Sequence, residues 1–93
     1  MYTISYSAKA VRSYIKLSPE LRKQVDEKLG RIARNPYEKN NNISPIKGRK
    51  YCYRLRIGDW RIVYELIQKK IQILDIVKRF INHENTSTNY YKK

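Results

Sequence analysis

The feature that most constrains this chain is the stretch at residues 51–64, YCYRLRIGDWRIVY, in which apolar and basic residues alternate on both sides of a Gly-Asp pair. Successive side chains of a strand point to opposite faces, so this alternation predicts two strands, each with one apolar and one basic side. Gly58-Asp59 is a two-residue connection suited to a tight hairpin, because glycine accepts the positive φ that primed turns need. With that turn, Ile57 faces Trp60, Arg56 faces Arg61 and Leu55 faces Ile62. Tyr51, Tyr53, Leu55, Ile57, Trp60, Ile62, Tyr64 and Leu66 then make one apolar face, while Arg54, Arg56 and Arg61 gather on the other.

Folding alone does not select that second face. Like charges directly opposite each other on a sheet cost on the order of a few tenths of a kcal/mol per pair. A single arginine would be explained by its stem covering a solvated sheet face with its head in water. Three converging arginines point instead to an anion site, since the planar guanidinium grips phosphate through two parallel N–H bonds.

Composition narrows the anion. Lysine and arginine total 21 against 8 acidic residues, a formal charge of +13 spread over 93 residues. Such a field attracts polyanions, nucleic acid first, an acidic protein second and an anionic membrane surface third. No apolar run approaches the roughly 18 residues of a spanning helix and no signal peptide opens the sequence, so a soluble, cytoplasmic protein is expected. The length suits one domain with one core, 1–93, with 82–93 expected to be a mobile tail. Cys52 is the only cysteine and His83 the only histidine, so neither an internal disulfide nor a Cys/His metal site is expected, and no cofactor is implied. Cys52, between two tyrosines in a strand, reads as a small buried hydrophobe.

Residues 2–6 alternate as a short strand with one buried side. Ser7 can cap a short helix in which Val11, Tyr14 and Ile15 form the apolar stripe and Lys9, Arg12 and Lys16 stay outside. Ser18-Pro19-Glu20 combines a hydroxyl cap, a proline at the first helical position and a carboxylate near the positive end of the dipole. The helix that follows carries Leu21, Val25, Leu29 and Ile32 at spacings of three and four, sets Glu27 four residues before Arg31, and stops at Asn35-Pro36. Arg22, Lys23, Lys28, Arg31 and Arg34 decorate its solvated side. Residues 37–50 have no sustained period and read as a loop pinned by Ile43 and Ile46, with Lys47, Arg49 and Lys50 extending the basic surface. Residues 71–77 form a further strand. With Gln68-Lys69-Lys70 as the connection, Leu74 and Ile76 fall on the core face and Asp75, Val77 and Arg79 on the arginine face. A two-residue connection would push Asp75 into the core. On the arginine face Asp75 can hold an arginine in place or reduce the mutual repulsion.

The expected fold is therefore α+β: an N-terminal strand, a two-helix hairpin, then a three-stranded antiparallel meander, all in one mostly antiparallel sheet packed on the helices. Together with the Ile46-Lys47-Gly48 approach, the YRLRIGDWRIVYEL block at residues 53–66 and the Ile76-Val77-Lys78-Arg79 ending, this order resembles the RelE/ParE-type toxins of toxin–antitoxin pairs over nearly the whole chain. The RelE branch resembled here implies an mRNA interferase that cuts message in the ribosomal A site, restrained by a cognate antitoxin. Its basic strand residues map onto Arg54, Arg56, Arg61 and Arg79, with Lys47, Arg49, Lys50 and Lys78 as further RNA contacts.

The resemblance is incomplete at the proton-transfer groups. RelE-like enzymes carry lysines on the first hairpin strand where this chain has Arg54 and Arg56, which cannot deprotonate and so only stabilise charge. The family's C-terminal tyrosine aligns with Asn85 without a gap, leaving Tyr90 or Tyr91, and His83 with its near-neutral pKa, as the candidates for that role. Two other functions remain open: a ParE-like inhibitor of DNA gyrase, and a degenerate toxin that binds RNA or an acidic antitoxin without cutting. Fold does not choose among them.

Overall fold

The computed structural model describes residues 1–78 and contains seven elements: β1 (Thr3–Tyr6), α1 (Ala8–Tyr14), α2 (Pro19–Arg34), β2 (Ile43–Pro45), β3 (Cys52–Ile57), β4 (Trp60–Ile67) and β5 (Lys70–Lys78). The strands form one sheet in the order β1-β5-β4-β3-β2, antiparallel except where β1 runs parallel to β5. The α+β expectation holds, with one strand added. β2 lies within the stretch that reads as loop, pairing Ile43 with Leu55 and Pro45 with Tyr53. Three residues ending in a proline carry no visible period, and edge strands tolerate proline because its missing N–H can face solvent.

Both helix starts follow their caps. Ser7 Oγ accepts from Ala10 N at 3.0 Å, and Ser18 Oγ accepts from Leu21 N at 3.2 Å with Pro19 opening α2. α2 lays Val25, Leu29 and Ile32 on the sheet, where they are buried with Leu55, Ile57, Ile62, Tyr64, Leu66, Ile71, Ile73 and Ile76. Each fully buried aliphatic side chain contributes about 1.5–3 kcal/mol relative to exposure. Tyr53 and Tyr64 are cross-strand partners whose rings stack at 5.6 Å. No helix among the described residues is long and apolar enough to cross a membrane.

Four local expectations are corrected. α1 turns Ala10 inward and leaves Val11 and Ile15 44% and 62% exposed; its seven residues end at Tyr14, so the stripe never completes a second turn. Tyr51 is exposed, with a positive φ of 64°, because it closes the turn before β3 instead of continuing the strand. Arg31 pairs with Glu38, Nε to Oε1 at 3.3 Å, and not with Glu27; the chain folding back after Asn35 supplies a closer carboxylate.

The fourth correction concerns the β4–β5 register. The connection is the two residues Gln68-Lys69, Ile67 pairing with Lys70, and the pairing runs Leu66 with Ile71 and Tyr64 with Ile73. The register then shifts between Tyr64 and Val63: Leu74 has no partner on β4, and Asp75 pairs with Val63, Ile76 with Ile62 and Val77 with Arg61. Such a bulge adds one residue to one strand and reverses its alternation. Ile71, Ile73 and Ile76 therefore all face the helices, while Leu74 joins Val77 on the other side, packed against Ile46, Cys52 and Val63.

Candidate functional site

The hairpin turn sets the site. Gly58 takes φ +57°, which glycine tolerates without penalty, and this brings Ile57 opposite Trp60 and Arg56 opposite Arg61 as the alternation requires. On the face turned away from the helices, two adjacent rows run across three strands. One is Arg54, Val63 and Asp75; the other is Arg56, Arg61 and Val77. Arg54, Arg56 and Arg61 thus share one face, Arg56 exposed and the other two half-buried.

Arg61 is the most restrained of the three. Its Nη1 donates to Gly58 O at 3.1 Å and to Trp60 O at 3.0 Å, drawing the guanidinium toward the turn. Behind the arginines lies a small apolar cluster, Ile46, Cys52 and Val63 with Leu74 and Val77 packed on it. Charge interactions beside such a floor are stronger than in bulk water. Burial and the Glu65 carboxylate push the Cys52 thiol up from its ordinary range, against the opposing effect of Arg49. Cys52 is 2% exposed, as a small core residue should be.

Asp75, 2% exposed, is on the arginine face as expected. Its Oδ1 accepts from Ile76 N at 2.8 Å, and its Oδ2 lies 3.1 Å from Lys9 Nζ. The sequence places Lys9 only on the outer side of its helix, and no local signal links an α1 lysine to a β5 carboxylate. Lys28 likewise reads as part of a solvated helix face. It lines a 520 Å³ depression at the hairpin tip with Gln24, Asn42, Arg56, Ile57, Gly58 and Asp59.

The remaining expected contacts separate into three groups. Lys47, Arg49 and Lys50 occupy the turn between β2 and β3, closed by Ile46 N to Cys52 O at 2.9 Å and Arg49 N to Ile46 O at 3.1 Å. Lys50 Nζ sits 5.9 Å from the centre of the Tyr51 ring. This turn lies beyond the end of β3 away from Gly58, where Cys52, the first residue of the strand, is already about 13 Å from Arg56 at the usual strand rise. Lys78 pairs with Trp60, so it projects to the helix side of the sheet and does not share the arginine face. Arg79, His83, Tyr90 and Tyr91 lie outside the described residues.

Chemically, the described face can bind and neutralise a phosphodiester. Its arginines can stabilise developing negative charge but cannot exchange a proton near neutral pH. Among the described residues no group of three or more His, Cys, Asp or Glu side chains is placed to hold a metal ion. Tyr6 and Tyr64 stay protonated and so cannot start as general bases: burial is the main cause of a shift that takes Tyr6 up to about 12 and raises Tyr64 likewise.

Comparison with known proteins adds four observations. The family model described as ParE toxin of type II toxin-antitoxin system, parDE, matches residues 4–81. The mRNA interferase toxin RelE of Escherichia coli (strain K12) is 27% identical over 77 residues, 81% of this chain and 78% of that protein. Among solved structures, the isolated E. coli RelE toxin superposes with a TM-score of 0.75 at 20% identity, covering 97% of this chain and 93% of that one. The toxin-antitoxin complex RelBE2 of Mycobacterium tuberculosis gives 0.67 at 25% identity, covering 84% and 98%.

Proposed function

The chain belongs to the ParE toxin family of type II toxin-antitoxin systems, and from that membership we propose that it is the toxin of such a pair and acts as a ribosome-dependent mRNA endoribonuclease in the cytoplasm. The observation that carries the reading is the pairing of Arg56 with Arg61 beside Arg54 on one sheet face, an arrangement that opposes folding and suits a phosphate. The 27% identity to an mRNA interferase supports the same choice.

In this reading Arg54, Arg56, Arg61 and Arg79 surround the scissile phosphate. The ribose 2′-hydroxyl attacks the adjacent phosphorus in line, the bond to the 5′-oxygen breaks, and a cyclic phosphate and a 5′-hydroxyl are left. The arginines offset charge on the phosphoryl oxygens in a prearranged geometry, the type of contribution that costs about 10²–10³-fold in rate when one donor is removed. Tyr91 or His83 supplies the proton transfer that no arginine can. Lys47, Arg49 and Lys50 bind the RNA backbone beyond the far end of β3, and Lys78, on the helix side of the sheet, takes no part in that contact. The partners are mRNA on the ribosome and a cognate antitoxin, an amphipathic or acidic segment that orders as it wraps a surface of charge +13.

A second reading, inhibition of DNA gyrase without RNA cleavage, is favoured by the description of the matched family. Expressing the protein alone separates the two. Codon-phased new 5′ ends in mRNA with unchanged plasmid supercoiling support the nuclease, and altered supercoiling with intact message supports the gyrase inhibitor. Arg61→Ala should abolish mRNA cleavage while the protein stays folded and binds its antitoxin. Full toxicity in a folded Arg61→Ala protein would remove the proposed site.

A further inference from the structure

We propose that Lys9 is a phosphate-contacting residue of the arginine face, held there by the buried carboxylate of Asp75 as its positioning residue. The proposal rests on the RNA-cleaving reading above and adds to it a cation from a different element.

The chain path places Lys9. β1 pairs with β5 only as far as Tyr6 and Ile73. Ser7 then fastens the chain over the bulge, its N donating to Ile73 O and its Oγ to Leu74 O, each at 2.9 Å. α1 consequently begins beside the second half of β5, and Lys9 Nζ reaches Asp75 Oδ2 at 3.1 Å. Asp75 belongs to the row Arg54, Val63, Asp75. With strands about 4.8 Å apart, its backbone is roughly 10 Å from that of Arg54, so the Lys9 ammonium closes the β5 side of an arc of cations.

The two halves of this pair differ in a way that points to use. The Asp75 side chain is 3% exposed and that of Lys9 61%. Enclosing a carboxylate costs several kcal/mol, and a solvent-screened lysine returns only part of that. The pair is effective as a holder: the carboxylate is fixed by its bond from Ile76 N and lies in the row with Val63, while the lysine side chain it anchors is largely exposed beside the arginine face. The bulge at Leu74 is what allows this. Without the register shift Asp75 would alternate onto the helix side, away from every arginine.

The test is binding of a fully 2′-O-methylated single-stranded RNA, which cannot be cut, across a salt series. Removing one cation that touches a phosphate lowers the slope of log affinity against log salt by about 0.7. The double variant Lys9→Met/Asp75→Asn removes one cation and one anion, so net charge is unchanged and no unpaired buried carboxylate remains. The expected result is a slope shallower by about 0.7, with Lys9→Arg retaining the full slope. An unchanged slope in the folded double variant overturns the proposal. Acetylation of the unaltered protein is a second measurement that needs no variant: saturating RNA should slow labelling of Lys9, and equal labelling with and without RNA also overturns it. If the protein cuts no mRNA, the nuclease reading fails, while the slope and the labelling still decide whether Lys9 touches a phosphate.

Discussion

Replacing Arg56 by threonine should make the protein more stable and less active at once. Arg56 and Arg61 are direct cross-strand partners, and opposed side chains of this kind have their Cβ atoms about 5 Å apart. Two unit charges at that distance in water repel by about 0.8 kcal/mol. The charges sit at the ends of long side chains, that of Arg61 bonded to Gly58 O and Trp60 O, and at a separation of about 8 Å the repulsion is about 0.5 kcal/mol. Threonine fits a strand well, so the relief is not offset by a weaker strand propensity. For a domain of this size about 0.5 kcal/mol corresponds to a rise in Tm of about 2–4 °C. The cause is Coulombic, so the rise should vanish in about 1 M salt, where the screening length falls to about 3 Å. Thermal melts of both proteins at low and high salt measure it, and cleavage of mRNA on the ribosome should drop about 10²-fold. A Tm that falls, or a rise of equal size at both salt concentrations, would refute the view that the site's charges oppose folding.

Three further outcomes follow from the fold. Ser18→Ala removes the hydroxyl that accepts from Leu21 N and should cost about 1 kcal/mol in denaturant titration, with cleavage by the folded fraction unchanged. Tyr6 is raised from 10.0 to about 12, chiefly by burial and then by the Asp26 carboxylate, and Tyr64 moves the same way. The unfolded chain therefore releases these protons first, so their contribution to stability is complete below about pH 10 and is lost as pH rises toward about 12; an alkaline unfolding series in which stability instead grows over that window would contradict the burial of both rings. Cys52, buried and with its thiol pushed up, should resist iodoacetamide at about pH 8 in the native protein and react on unfolding, and rapid native labelling would argue against its place in the cluster with Ile46 and Val63.

Most of the central hairpin is legible in the sequence because two independent local signals agree. Alternation assigns each side chain to a face, and Gly58-Asp59 fixes which residue meets which, so a shift of one residue would move every arginine into the core. The helix starts are legible for the same reason, since Ser7 and Ser18 each announce themselves within one turn. The buried side of α1 is not, because a seven-residue helix has too few turns for a stripe to define it. β2 is hidden because three residues cannot display a period, and its pairing with β3 is stated nowhere in its own composition.

What the sequence determines by itself is the hairpin, with its apolar and arginine faces and its Arg56–Arg61 pairing. The position of Asp75 depends on the tertiary structure. Strict alternation ties it to the length of the β4–β5 connection and requires three residues there to keep the carboxylate out of the core. The connection has two, and the bulge at Leu74 restores the alternation halfway along the strand. A residue left out of the ladder at a bulge costs less than a carboxylate enclosed among Ile62, Tyr64 and Ile73. That balance depends on strands far apart in the chain, as does the reach of Lys9 from α1 to Asp75.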